Sequence, residues 1–166
     1  MSKRERLFGC ITALLLLVLL PGSGLADDVE ARLYGSWRLV SFKIVVDGDQ
    51  AAAGEAFGDH PFGRLILTPQ HTMAAYLSRS DRKPPTSHAE EAALLSSMIA
   101  YTGKFRVEGD EFITTVDGAW DETFKAHEQV RHFTLEGDRL NIQTDEWTTG
   151  WLHRKRQFGI LVWERE

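Results

Sequence analysis

Two Glu-Gly-Asp turns, at 108–110 and 136–138, constrain the fold of this chain more than any other feature. Each lies between two segments in which apolar and polar residues alternate, the pattern of half-buried strands. A short glycine-containing turn between two such segments is typical of a β-hairpin. The second half of the chain is therefore predicted to form antiparallel hairpins over 101–116 and 129–144.

Further strands are predicted over 35–46, 64–68, 72–77 and 159–165. In the first of them, alternation places one set of residues on one face and a second set on the other. The first set is Trp37, Leu39 and Ser41, and the second is Arg38, Val40 and Phe42. About eight strands, joined mostly to their sequence neighbours, predict an all-β fold, a closed antiparallel up-and-down barrel without a free sheet edge.

One α-helix is predicted on or across this barrel, from Ser87 to about Ala100. Ser87 and Glu90 have the spacing of a capping box, in which the hydroxyl and the carboxylate each accept a backbone N–H. An apolar stripe at helical spacing is expected to be core. The stripe consists of Leu94, Leu95, Met98 and Ile99.

The first 26 residues are predicted to be a signal peptide rather than part of the folded domain. A basic start at 3–6 precedes an almost uninterrupted apolar run from 7 to 20. Gly24 and Ala26 supply the small residues before a cleavage site, so we expect cleavage after Ala26 and a periplasmic or secreted protein. A retained membrane anchor is the alternative, but a span needs about 20 apolar residues and this run is shorter.

Cleavage would leave one domain, residues 27–166, and would change its charge and thiol content. The full chain has 19 Lys and Arg against 24 Asp and Glu, a formal net charge of −5. Loss of 1–26 removes three basic residues, one acidic residue and Cys10, so the net charge becomes −7 and no thiol remains. An acidic surface repels phosphate groups, so no nucleic-acid partner is expected, and no membrane span is expected after cleavage.

Several segments together resemble the bacterial and fungal lipocalin-like domain family within the calycins. They are 33–42 (LYGSWRLVSF), 47–48 (DG), 57–63 (FGDHPFG), 100–103 (AYTG), 129–131 (QVR), 135–140 (LEGDRL) and 161–165 (LVWER). The resemblance implies a barrel with a cavity, in which Arg165 packs across the ring of Trp37 and closes one end. It places a large loop over the barrel mouth at 50–62. Many family members have a histidine pair where this chain has Thr114-Thr115.

Arg131 is the most informative single residue. It shares a strand face with Phe133 and Leu135, which are expected to point inward. A buried guanidinium needs a partner, so Arg131 is a candidate contact for a ligand carboxylate, hydroxyl or carbonyl in an apolar cavity. The alternatives are a buried ion pair with Glu128, Asp117 or another carboxylate, and an outward arginine if the register differs.

Five aromatic residues are further candidate ligand contacts. Tyr76, Tyr101 and Trp120 are predicted to line the cavity, with Phe57 and Phe62 on the loop over its mouth. Such a lining suits a planar or alicyclic apolar ligand. Ordinary core packing is the alternative interpretation.

His60, in the same loop, is the last candidate contact. Asp59 beside it can orient an imidazole to act as a general base, but adjacent residues seldom point the same way and no Gly-x-Ser-x-Gly motif is present. No catalytic residue is predicted. No metal or cofactor is predicted either, because His127 and His132 lack a converging third ligand and no glycine-rich phosphate loop follows a strand.

The leading hypothesis is therefore an exported, non-enzymatic barrel that binds a small apolar or amphipathic molecule. An isomerase or cyclase that shapes a hydrophobic substrate in the cavity is the second hypothesis. The third is a filled barrel that acts as an interaction module of the cell envelope. Fold alone does not choose among them, and the sequence does not indicate an oligomeric state.

Overall fold

The chain closes on itself because its first and last long strands pair. The computed structural model describes residues 28–46, 57–148 and 156–166. Its strands are β1 (Gly35–Val46), β2 (Phe62–Leu67), β3 (Thr72–Ser78), β4 (Met98–Glu108), β5 (Glu111–Ala119), β6 (Gln129–Glu136), β7 (Arg139–Thr144), β8 (Trp147–Thr148) and β9 (Arg156–Arg165).

Antiparallel pairing follows the sequence from β1 to β7, then β7 pairs with β9, and β9 returns to β1. Eight strands thus form a closed up-and-down barrel, which confirms the predicted fold class. The two-residue β8 pairs only with the start of β9. Closure removes the unpaired edges that an open sheet of this size would expose.

Both Glu-Gly-Asp turns join strands as predicted. Gly109 and Gly137 have φ values of 65° and 59°, a left-handed conformation that glycine adopts at little steric cost. The hairpin between β2 and β3 turns at His71, whose φ of 57° is the one positive value of a non-glycine residue in the described chain. The turn residues therefore determine three of the strand connections.

A β-bulge in β1 changes which side chains face the interior. Its register against β9 shifts between Leu39 and Ser41. Trp37 and Leu39 belong to the core before the shift; after it, Phe42 belongs to the core and Ile44 packs against it. The prediction that Phe42 lies opposite Trp37 is wrong, because one extra residue reverses the alternation.

Trp37 and Arg165 close one end of the barrel, as the resemblance implies. The Cζ atom of Arg165 lies 4.1 Å from the centroid of the Trp37 ring. The guanidinium also donates hydrogen bonds to the carbonyl oxygens of Tyr34, at 2.9 Å, and Arg32. Trp37 is fully buried, and its Nε1 donates to the Leu33 carbonyl at 2.8 Å. The start of β1 with the residues before it, 32–37, thus meets the end of β9 here.

The predicted helix is present but shorter, as α1 (His88–Ser96). Ser87 is its N-cap, and the Ser87 Oγ accepts a hydrogen bond from the Glu90 N–H at 3.3 Å. The Glu90 carboxylate accepts a bond from the Thr86 N–H at 2.6 Å. The sequence therefore predicted the start of the helix correctly and its end incorrectly.

The prediction that the helical stripe belongs to the core is wrong. Helix α1 has no buried residue, and Leu95 is 53% exposed. Met98 and Ile99 belong to β4, where Ile99 pairs with Leu77 and packs against the core. Met98 and Ile99 join the sheet and do not extend the helix, because tertiary packing contributes more to stability than helix propensity does.

Candidate functional site

A small cavity remains inside the barrel. Its volume is about 40 Å³, room for roughly three water molecules. The lining residues come from β2 to β7 and β9. They are Leu65, Met73, Ala75, Leu77, Tyr101, Phe112, Arg131, Ile142, Leu161 and Trp163. The interior is thus largely filled by side chains, and its remaining space is bounded by apolar groups and two strong hydrogen-bond donors.

Arg131 lines this cavity, so the prediction that it points inward is confirmed. Its strand β6 pairs Arg131 with the buried Phe112 of β5. Nη1 donates to the carbonyl of Val130 at 2.7 Å, and Nη2 donates to Gln129 Oε1 at 2.9 Å. Gln129 is itself buried and donates to the carbonyl of Phe124 at 3.1 Å. This chain of bonds fixes the guanidinium while leaving donor capacity for another acceptor, since arginine has five N–H groups.

The carboxylates considered as partners of Arg131 are bound elsewhere. Glu128 forms two hydrogen bonds with the Arg106 guanidinium, at 2.6 and 3.0 Å. These bonds, with one from a threonine hydroxyl, lower the pKa of Glu128 from its usual value. Asp117 accepts a bond from Thr102 at 2.6 Å. Among the ion pairs of residues 28–46, 57–148 and 156–166, none includes Arg131.

Trp163 also lines this cavity and carries a second buried donor. The residue is 2% exposed, and its buried Nε1–H has no acceptor within the part of the chain that the structure describes. A buried donor without an acceptor costs about 1–3 kcal/mol. The sequence does not indicate this role of Trp163, because the neighbouring β9 residues are apolar on both faces and alternation is weak there.

Tyr101 shares the cavity with Arg131, but Tyr76 and Trp120 do not. Ala75 and Leu77 of β3 point inward, which places Tyr76 between them on the outer face. The backbone N–H of Trp120 donates to the carbonyl of Ala100, which pairs with Tyr76. The prediction that Tyr76 and Trp120 line the cavity is wrong, because the register places both on the outside of the barrel.

The predicted loop over the mouth is described only from residue 57 onward, and residues 47–56 lie outside the described residues. Phe57 is buried in the core, 5.2 Å from Phe42 between ring centroids. Phe62 begins β2 and is exposed on the outer face. His60 is exposed at a bend. These positions bring neither Phe62 nor His60 to the cavity, and their role as ligand contacts remains a prediction.

Thr114 and Thr115 face opposite ways on β5. Thr114 is buried at 1% exposure, whereas Thr115 is exposed and donates to Glu128 Oε1 at 2.9 Å. Within the described residues, no three His, Cys, Asp or Glu side chains converge on a possible metal position. The residues that line the cavity therefore offer hydrogen-bond donation from Arg131 and Trp163, together with the Tyr101 hydroxyl, which can donate or accept.

The model of the lipocalin-like domain family matches residues 34–166. The chain belongs to the lipocalin-like domain family. The matched region of this lipocalin-like protein begins at Tyr34 and includes every barrel strand. A search of curated proteins found no match. No helix within the described residues is both long and apolar enough to cross a membrane.

Proposed function

We propose that this lipocalin-like protein is exported and binds a small amphipathic molecule inside its barrel, with a ligand oxygen accepting hydrogen bonds from Arg131 and Trp163. One observation carries the proposal. Two donors line one apolar cavity, and no carboxylate among the described residues pairs with the guanidinium. A carboxylate or carbonyl oxygen is an acceptor that suits both kinds of donor.

The energetics favour a ligand with a polar head. A hydrogen bond to a charged group contributes about 1.5–3 kcal/mol, and a new acceptor would also relieve the cost of the unpaired Trp163 N–H. Gln129 already fixes Arg131 at 2.9 Å, so little side-chain entropy is lost on binding. The apolar walls then discriminate by the shape and length of the ligand body.

The cavity limits the size of that body. At about 40 Å³, it takes a carboxylate or carbonyl group with at most a few carbons. A longer ligand requires side-chain movement. Met73 lines the cavity, and an unbranched methionine adapts its shape more readily than leucine or valine does.

Export is supported by the sequence of residues 1–26, with its basic start, apolar run and small residues before the expected cleavage point. Expression of the full chain in a bacterium with a periplasm tests this step. We expect the periplasmic fraction to contain a form whose N-terminal residue is Asp27. An uncleaved chain in the membrane or the cytoplasm would contradict the export proposal.

The small cavity favours a second candidate function, a filled barrel that acts as an interaction module of the envelope. Met73 and Trp163 occupy much of the interior, as that hypothesis expects. An eight-stranded barrel is just wide enough either to be filled by side chains or to hold one small ligand. A direct binding experiment distinguishes the two functions.

The Trp163 indole N–H is a natural reporter for this experiment, because it adjoins the cavity. We would titrate the ¹⁵N-labelled mature protein with butyrate and hexanoate, and in parallel with 1-butanol and 1-hexanol. Trp163→Phe identifies the indole resonance. We expect a saturable shift of that resonance, with the carboxylates binding more tightly than the alcohols. A charged hydrogen bond predicts a preference of about tenfold.

Arg131→Met should abolish the preference for carboxylates and leave alcohol binding nearly unchanged. Arg139→Met is the matched control, because Arg139 is an exposed arginine on the adjacent strand β7. An unmoved Trp163 resonance with all four probes would favour the filled barrel. Equal losses for carboxylates and alcohols in Arg131→Met would refute the role of the guanidinium.

A further inference from the structure

An apolar groove crosses the outer face of the barrel over β2 to β5, separate from the internal cavity. Its volume is about 540 Å³. Small residues on adjacent strands form its floor, namely Ala74, Ala100 and Gly118. Phe62 and Ile66 at one side are 52% and 43% exposed. Isolated exposed apolar residues are ordinary, but a contiguous patch of them marks a binding surface.

Tyr76 and Trp120 form two walls of a slot within this groove. Tyr76 pairs with Ala100 across β3 and β4, and the Trp120 N–H donates to the Ala100 carbonyl at 2.8 Å. The two aromatic residues are therefore two strand spacings apart, about 9.5 Å between their backbones. One planar group in van der Waals contact on both faces needs about 7–8 Å between the flanking rings. This backbone spacing leaves room for one planar group between the two side chains.

Tyr76 and Trp120 each pack against a further aromatic ring. The Tyr76 ring contacts Phe62 edge-on, with 5.9 Å between centroids. The Trp120 ring contacts Phe124 edge-on, at 4.5 Å. Because these neighbours fix both aromatic rings, the slot exists before any ligand enters and binding costs little ordering entropy.

A positive charge lies beside the hydroxyl group of Tyr76. Arg82 Nη1 donates to Tyr76 Oη at 2.7 Å, and the buried Nε of Arg82 has no acceptor within the described chain. Arg82 and Lys83 line a neighbouring pocket that shares Phe62 and Tyr76 with the groove. The neighbouring Arg79 is paired with Asp81 at 2.6 Å, whereas neither Arg82 nor Lys83 belongs to an ion pair of the described residues. Residues 79–83 thus carry three cations against the one carboxylate of Asp81, which also attracts Lys83, so this segment beside Tyr76 has an excess of positive charge in an acidic protein.

We propose that this groove binds a planar aromatic anion, whose ring lies between Tyr76 and Trp120 and whose anionic group reaches Arg82 and Lys83. Charge complementarity selects the anion, and the slot selects a flat ring. The internal cavity is too small for such a molecule, at about 40 Å³ against about 540 Å³ for the groove. The groove is thus a second ligand site with its own specificity.

A pair of fluorescent probes tests the proposal. The anion 1-anilinonaphthalene-8-sulfonate has the proposed chemistry, and N-phenyl-1-naphthylamine has the same rings without the charge. We expect one saturable site for the sulfonate. Trp120→Ser should weaken its binding about tenfold, the loss of one aromatic contact. Lys83→Met should weaken the sulfonate severalfold and leave the uncharged probe unchanged.

Two matched variants separate this site from other surfaces. Val40→Ser alters an apolar residue of β1 that is 38% exposed away from the groove, and Arg131→Met alters the internal cavity. Neither should change binding of the sulfonate, and thermal unfolding confirms that all variants fold. The proposal is overturned if Trp120→Ser binds the sulfonate as tightly as the wild type does, or if Val40→Ser loses as much affinity for the sulfonate as Trp120→Ser does. It is also overturned if the sulfonate shows no saturable binding. Sedimentation that shows a dimer, lost in Trp120→Ser, would assign the groove to a second copy and would also overturn it.

Discussion

Replacing Arg165 by methionine removes the charge that closes the barrel end but keeps much of the aliphatic bulk. Arg165 contributes four interactions there, one with the Trp37 ring at 4.1 Å, two with the carbonyls of Tyr34 and Arg32, and one ion pair at 3.3 Å with Asp138, whose side chain is largely exposed and adds little. A cation over an indole contributes about 0.5–2 kcal/mol. Charged hydrogen bonds contribute about 1.5–3 kcal/mol each when they are shielded from water, but the Arg32 carbonyl is exposed and its bond contributes less. We expect a loss of about 2–4 kcal/mol in the free energy of unfolding.

Urea unfolding followed by circular dichroism measures this loss at constant m-value. Arg38→Met is the matched control, because Arg38 forms an ion pair with Glu164 on the same two strands with both side chains more than half exposed. Exposed ion pairs contribute about 0–1 kcal/mol. Arg165→Lys should fall between the two, since lysine keeps the charge but cannot bond both carbonyls in the same way. If Arg165→Met costs no more than Arg38→Met, the end closure does not stabilise the barrel as we infer.

Two further predictions concern close packing and pH. Gly103→Ala should destabilise the barrel by about 1–3 kcal/mol, because a Cβ atom there would lie 2.3 Å from the Thr115 carbonyl oxygen. Gly109→Asn, at an open left-handed turn position, is the control in the same urea assay. Similar losses of stability in both variants would contradict the packing argument. The bonds from Arg106 hold the pKa of Glu128 below its usual value of 4.5, so the stability that Glu128 contributes is present above pH 4.5 and is lost as the pH falls through its folded-state pKa. The urea midpoint should therefore decrease between about pH 5 and about pH 3, less steeply in Glu128→Gln, and identical slopes would refute the assignment.

The barrel itself was predictable because its signals are local. The glycines at 109 and 137 mark turns, and the tryptophan of β1 and the arginine of β9 mark the strands that meet. Antiparallel neighbours in sequence then leave few topologies to consider. Arg131 was also placed correctly, because it alternates with Phe133, whose burial is unambiguous.

The orientation of Tyr76 and Trp120 was not predictable, because it depends on register rather than on composition. β3 contains apolar residues on both faces, so the period of two does not identify the inner one. The extra residue Val40 then shifts the alternation along β1, and the extra residue Asp117, opposite Thr102 and Gly103, shifts it along β5. The unpaired Trp163 N–H has no sequence signal at all, since it depends on which atoms surround the ring. A site made of residues from β3, β5, β6 and β9 appears only after those strands are paired.

The pairing of β9 with both β1 and β7 also determines when the barrel can form during synthesis. Residues 156–166 supply the only partner that β1 has besides β2 in the described chain, about 120 residues away in sequence. Until a ribosome has released this segment, the growing chain exposes two strand edges with open hydrogen-bonding groups. Contacts between such distant residues form slowly. The closed barrel therefore forms only after β9 has been synthesised, and not strand by strand as the earlier hairpins appear.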